Sequence, residues 1–179
     1  MRYTQLFLCW LFTVASFSFC MQNTSQGTTV ATNATSGPQG QREVRTTAYI
    51  GSRHGAAKTA NGSQLKSGHV NSAAADWSRF PLGTKFNICG THHTYVVDDY
   101  GPALVGTNNI DLYMPSRRNM HHWGVRKVTI NIIEPGSYER SLALLKTKKH
   151  VPYVRRMVKV LEEKVYVCSV SRRWPISAN

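Results

Sequence analysis

Five short β-patterned runs lie within about 90 residues of one another, and this constrains the fold more than any other feature of the chain. Residues 44–50 are rich in β-branched and aromatic side chains and stop at Gly51. Residues 85–89 follow a Pro81-Leu82-Gly83-Thr84 turn, alternate in polarity and stop at Gly90. Residues 93–100, 109–114 and 126–133 complete the set. The stretch 51–75 holds mainly Gly, Ser, Ala and Asn without a helical period, so it reads as a long connection. Five or six short strands joined by Gly-bearing loops predict a small closed barrel over residues 43–134.

Helical periodicity is confined to other places. Ser116 can cap a short helix that Gly124 ends at residue 123. Beyond Glu134-Pro135-Gly136 the period changes for good. Ser137 can cap a helix carrying Leu142, Leu144 and Leu145. A second helix starts near Pro152, with Val154, Met157, Val158, Leu161 and Val165 on one face. Residues 135–179 are therefore expected to form a basic helical extension that packs on the barrel and leaves its Lys/Arg face in solvent. The fold class is mainly β: a six-stranded barrel with one short helix and a C-terminal helical extension.

The N-terminus points to export. Arg2 precedes the short apolar run 6–19, and a polar segment follows, which is the pattern of a secretory signal peptide over residues 1–20. Residues 21–42 have the composition of a flexible linker. No apolar run reaches the roughly 20 residues of a spanning helix. Bulky Phe19 before Cys20 argues against a lipid-modified cysteine. Cys89 and Cys168 can pair in an oxidising compartment or stay as buried thiols, and their spacing does not choose. The net charge is +13, with +5 over residues 42–134 and +7 over 135–179, which suits anionic partners, among them an envelope surface reached through the tail. An exported chain makes a nucleic-acid partner the least fitting of these.

Against this basic background the four aspartates stand close together: Asp76, Asp98, Asp99 and Asp111. Strands disfavour Asp, so placing them in or beside strands asks for a reason. Turn and cap chemistry explains Asp76 well. It explains Asp111 poorly, because Ile110 and Leu112 flank it in an alternating run; if they face the core, Asp111 faces a cleft. Carboxylates gathered in one cleft repel one another, and the pKa of one rises until it can donate a proton near neutral pH. A metal site and a purely structural role are the alternatives at this stage. The histidine pairs 92–93 and 121–122 lack zinc-ligand spacing, as do the cysteines, which speaks against a zinc site.

The segments TANGSQLKSG, NSAAADWSRFPLGTKFNI, VVDDYGPALVGTNNIDLYMPS and HHWGVRKVTINII resemble, in that order, the 3D domain, a family named for three aspartates. The resemblance covers roughly residues 46–133. It implies a double-psi β-barrel similar to the catalytic barrel of membrane-bound lytic transglycosylase A and to stationary-phase muralytic proteins. The family aspartates fall on Asp76, Asp99 and Asp111, and the resemblance implies that Asp111 is the catalytic acid/base, with Asp99 and Asp76 tuning it and no metal or organic cofactor needed. Two departures stand out. Asp99-Tyr100-Gly101-Pro102 replaces the usual Asp-Thr-Gly-Gly, and Asp99 to Asp111 spans twelve positions, one more than usual.

These readings together predict a secreted or envelope-located peptidoglycan lytic transglycosylase, working on glycan strands as a monomer. Asp98, Tyr100, Tyr113 and Trp77 are the expected substrate-binding residues. A non-catalytic glycan-binding barrel and a water-using glycan hydrolase, with Asp99 or Asp76 as base, are the alternatives.

Overall fold

A computed structural model describes residues 40–51 and 58–173. The signal-peptide and lipidation readings, and nearly all of the linker, fall outside them. Six strands are present: β1 (Gln41–Tyr49), β2 (Val70–Ala74), β3 (Lys85–Ile88), β4 (Thr94–Asp99), β5 (Asn109–Tyr113) and β6 (Arg126–Glu134). They close into a barrel in the order β1-β5-β2-β4-β3-β6. The β1–β5 and β2–β4 pairs are parallel and the remaining four are antiparallel.

Five of these strands stand where the periodicity put them. The sixth, β2, lies inside the stretch read as connection. Its residues Ser72, Ala73 and Ala74 are small and fully or nearly buried, wedged between β4 and β5. Small side chains carry no β signal of their own. Here they suit a strand flanked on both sides in a narrow barrel.

Alternation decides which residues fill the barrel. In β1, Val44 and Thr46 are buried; in β5, Ile110 and Leu112 are. They meet Phe86, Val97, Ile130 and the fully buried Trp77. Phe86 stacks on Tyr95 with ring centroids 5.5 Å apart, and Trp77 meets Tyr100 edge-on at 4.9 Å. Trp77, expected at a sugar, thus belongs to the core.

Three helices complete the fold: α1 (Arg117–Trp123), α2 (Tyr138–Lys146) and α3 (Pro152–Arg173). The Ser116 hydroxyl accepts from the Asn119 amide and the Ser137 hydroxyl from the Arg140 amide, as N-caps. Gly124 ends α1 at a φ of 62°, where a side chain would be strained. Leu142 and Leu145 of α2 and Val154, Met157, Val158 and Leu161 of α3 are buried in the same core as the barrel residues. Leu144 faces out and is 43% exposed.

Polar contacts tie the helices down as well. The Ser141 hydroxyl accepts from the Leu82 amide at 2.8 Å, and the Lys164 ammonium donates to the Ser78 carbonyl at 2.6 Å. Gly136 sits so close to the Pro81–Thr84 turn that a Cβ there would overlap the Pro81 and Leu82 carbonyl oxygens. The helical extension is thus an integral part of the core. Cys89 and Cys168 are both exposed and are not disulfide-linked, so neither the pair nor the buried thiols expected from sequence is present. Among the described residues, no helix is long and apolar enough to cross a membrane.

Candidate active site

The parallel β1–β5 pair builds one wall of a cleft. Its register sets Arg45 beside Asn109, Thr47 beside Asp111 and Tyr49 beside Tyr113. Because Val44, Thr46, Ile110 and Leu112 point into the barrel, these alternate residues stand on the other face. The second wall is the end of β4 and the loop after it, from Asp99 through Leu104. Between the walls lies an open cleft of about 390 Å³.

Asp111 is half-buried in this cleft. Its Oδ1 accepts from the Thr47 hydroxyl at 2.8 Å. Burial raises its pKa above the ordinary Asp value; the Thr47 hydrogen bond opposes the rise and the nearby Asp99 charge adds to it. Asp111 therefore holds its proton to higher pH than a free carboxyl does.

Asp99 sits across from it with both oxygens engaged. Oδ1 accepts from the backbone amides of Ala60 at 2.8 Å and Tyr100 at 2.9 Å, and Oδ2 from the Tyr49 hydroxyl at 3.4 Å. The Ala60 amide is delivered by a tight turn, in which Thr59 N–H donates to the Ser63 carbonyl and the Ser63 amide to the Asn61 side chain. The TANGS segment thus positions Asp99 from a distant part of the chain. Tyr49 is pressed on by burial first, then by the charges of Asp99, Asp98 and Asp111, all raising its pKa. It stays a neutral phenol and a hydrogen-bond donor.

The other expected site residues go elsewhere. Asp76 is 1% exposed: Oδ1 accepts from the Ser78 amide and hydroxyl, and Oδ2 from the Gly106 amide at 2.6 Å. It fastens the β4–β5 loop, whose first half walls the cleft, without entering the cleft itself. Asp98 alternates with Asp99 and is 2% exposed, with the Ser72 hydroxyl donating to Oδ2 at 2.8 Å. Burial raises its pKa foremost, while Ser72 and Lys66 lower it. A residue so enclosed does not line the cleft. Nor does Trp77, whose indole N–H donates to the Asp99 carbonyl oxygen from the core side at 2.9 Å. Tyr100 does line the cleft; Tyr113 lines a neighbouring pocket instead.

Sequence reasoning missed Arg45, Thr47, Tyr49 and Asn109. Their alternation on β1 and β5 is visible in the chain, but the pairing that sets them beside Asp111 is not. No group of three or more His, Cys, Asp or Glu able to hold a metal occurs among the described residues.

Residues 71–134 match the 3D domain family. The match contains all four aspartates, whereas β1, which supplies Thr47 and Tyr49, precedes it. A Bacillus subtilis (strain 168) protein, YabE, provisionally named a cell wall shaping protein, is 34% identical over 92 residues. That alignment takes in 50% of this chain and spans only 22% of the relative's length. With the family match falling on a closed six-stranded barrel, the chain carries a 3D domain of the double-psi β-barrel type.

Proposed function

We propose that this protein acts outside the cytoplasm on cell-wall peptidoglycan, as a lytic transglycosylase with Asp111 as its acid/base. One observation carries the reading: a half-buried carboxyl with a raised pKa, held by Thr47, stands in an open cleft beside a second carboxylate. The 3D domain and the relative's name support the wall as the setting.

In this reading protonated Asp111 gives its proton to the oxygen joining N-acetylmuramic acid to N-acetylglucosamine. The bond from C1 of the muramic acid to that oxygen breaks, and its electron pair leaves with the oxygen. The C1 centre becomes oxocarbenium-like, and the negative charge of Asp99 stabilises it. Asp111, now a carboxylate, takes the proton of the C6 hydroxyl as that oxygen attacks C1. A 1,6-anhydro ring closes, and Asp111 ends protonated as it began. One carboxyl serves both steps, so no second base is required.

Water-using hydrolysis needs a second carboxylate free to activate water. Asp99 already accepts two backbone amides and a phenol, and Asp76 is sealed under the loop. That speaks for the anhydro route.

Mass spectrometry of purified peptidoglycan incubated with the protein, with Asp111→Asn in parallel, tests this. Anhydro-ended fragments from wild type alone are expected. Reducing-ended fragments mean hydrolysis. Tight sedimentation with the wall and no fragments means a binding module.

A further inference from the structure

A second pocket, of about 290 Å³, opens next to the Asp99/Asp111 cleft. Tyr95, Tyr113 and Trp123 supply its aromatic lining, and His93, His122 and Asn119 its polar rim. The two sites join at one contact. Tyr49 lines the cleft, Tyr113 lines the pocket, and their rings lie 5.8 Å apart as register partners on β1 and β5. Tyr113 is two residues beyond Asp111, about 7 Å along the strand, a step on the scale of one pyranose ring.

We propose that this pocket is a distal subsite for a neutral N-acetylhexosamine ring of the same glycan strand whose bond lies at Asp111. The inference rests on the transglycosylase reading and adds where the strand continues. Its chemistry differs from that of the cleft. The cleft lining includes Arg45, Asp99 and Asp111; the pocket lining includes no Lys, Arg, Asp or Glu. The one charge beside it among the described residues that line or touch Trp123 is the Arg126 guanidinium, already engaged by the Trp123 ring and the Trp123 and His122 carbonyls. A sugar presents apolar C–H faces to aromatic rings, and hydroxyl and acetamido groups to imidazole and amide partners.

The rim is available for this. Among the described residues, no hydrogen bond engages the imidazoles of His93 and His122 or the side-chain amide of Asn119. All three are exposed. The aromatic side is held rigid: Trp123 donates from its indole N–H to the Thr46 hydroxyl at 3.3 Å, and the Arg126 guanidinium covers its ring at 4.3 Å. Pre-set rings with unengaged polar neighbours suit a ligand that arrives already shaped.

Calorimetric titration of the protein with β-1,4-linked N-acetylglucosamine oligomers of two to six residues tests the subsite. Affinity is expected to rise about 10-fold once the oligomer outgrows the cleft. Asn119→Ala with His122→Ala should abolish that rise and leave dimer binding unchanged. Helix α1 buries none of its residues, so this variant keeps the fold. A rise that persists in the double variant overturns the subsite, as does equal binding at every length. If wild type still releases anhydro fragments, only the subsite falls. If it neither binds nor cleaves wall material, the transglycosylase reading falls with it.

Discussion

The Thr47 hydroxyl reaches the Asp111 carboxylate at 2.8 Å across the parallel β1–β5 pair, where the two residues are register partners 64 positions apart in the chain. This hydrogen bond favours the ionised form and works against burial, which favours the protonated one. Thr47 is thus a positioning residue that sets how readily Asp111 gives up its proton.

Replacing Thr47 by Val removes that restraint, so the Asp111 pKa rises further. The protonated carboxyl starts the reaction, and the alkaline limb of the wall-cleavage profile should move to higher pH. The peak rate should fall about 10-fold or less, the worth of one hydrogen bond. Thr47→Ser keeps the donor and should keep the wild-type profile. An unmoved limb in the Val variant would refute the coupling.

Asp111→Asn should cost roughly 10²- to 10⁴-fold in cleavage, the range general acid/base catalysis supplies. Its effect on stability should run the other way. The folded Asp111 binds its proton at pH values where the unfolded chain has lost it, so stability falls as pH rises through the interval above the ordinary value of 3.8. A neutral amide removes that penalty. Asp111→Asn should therefore melt no lower than wild type at pH 7, and any advantage should vanish below the ordinary Asp range. Melting curves at about pH 2.5 and pH 7 decide it.

Asp76 does its work through the loop. Asp76→Ala strips acceptors from the Ser78 amide and hydroxyl and from the Gly106 amide. A loss of roughly 3 kcal/mol is expected in urea unfolding, because the buried Ser78 amide and hydroxyl and the part-buried Gly106 amide are left without their acceptor. Asp76→Asn keeps an acceptor for only one side and should fall between. Cleavage measured well below the melting temperature should also drop, because the β4–β5 loop carries one wall of the cleft.

Gly136 tests whether the helices belong to the core. A methyl there would overlap backbone atoms of the Pro81–Thr84 turn, which cannot move without shifting β3. Gly136→Ala should destabilise by about 3 kcal/mol or more, seen as one lowered thermal transition. Two separate transitions, with the barrel unaffected, would mean that α2 and α3 are only an appendage.

Much of this molecule was decided locally and could be read from the chain. Ser116 and Ser137 sit where a hydroxyl caps a helix, and both do so. The alternation of Ile110, Asp111 and Leu112 says that the carboxyl faces away from the core, since strand side chains must alternate. The same rule set Asp98 against Asp99, but not which of the two would meet the cleft. Tertiary structure settled that by burying Asp98 against Ser72 and turning Asp99 toward Tyr49. It also took Trp77 into the core, revealed β2 among residues with no β signal, and brought Thr47 and Tyr49 to the aspartates. Local pattern tells a residue which face of its own strand it occupies. Which strand lies beside it is a long-range choice made by packing the whole barrel, and the chemistry of the cleft depends on that neighbour.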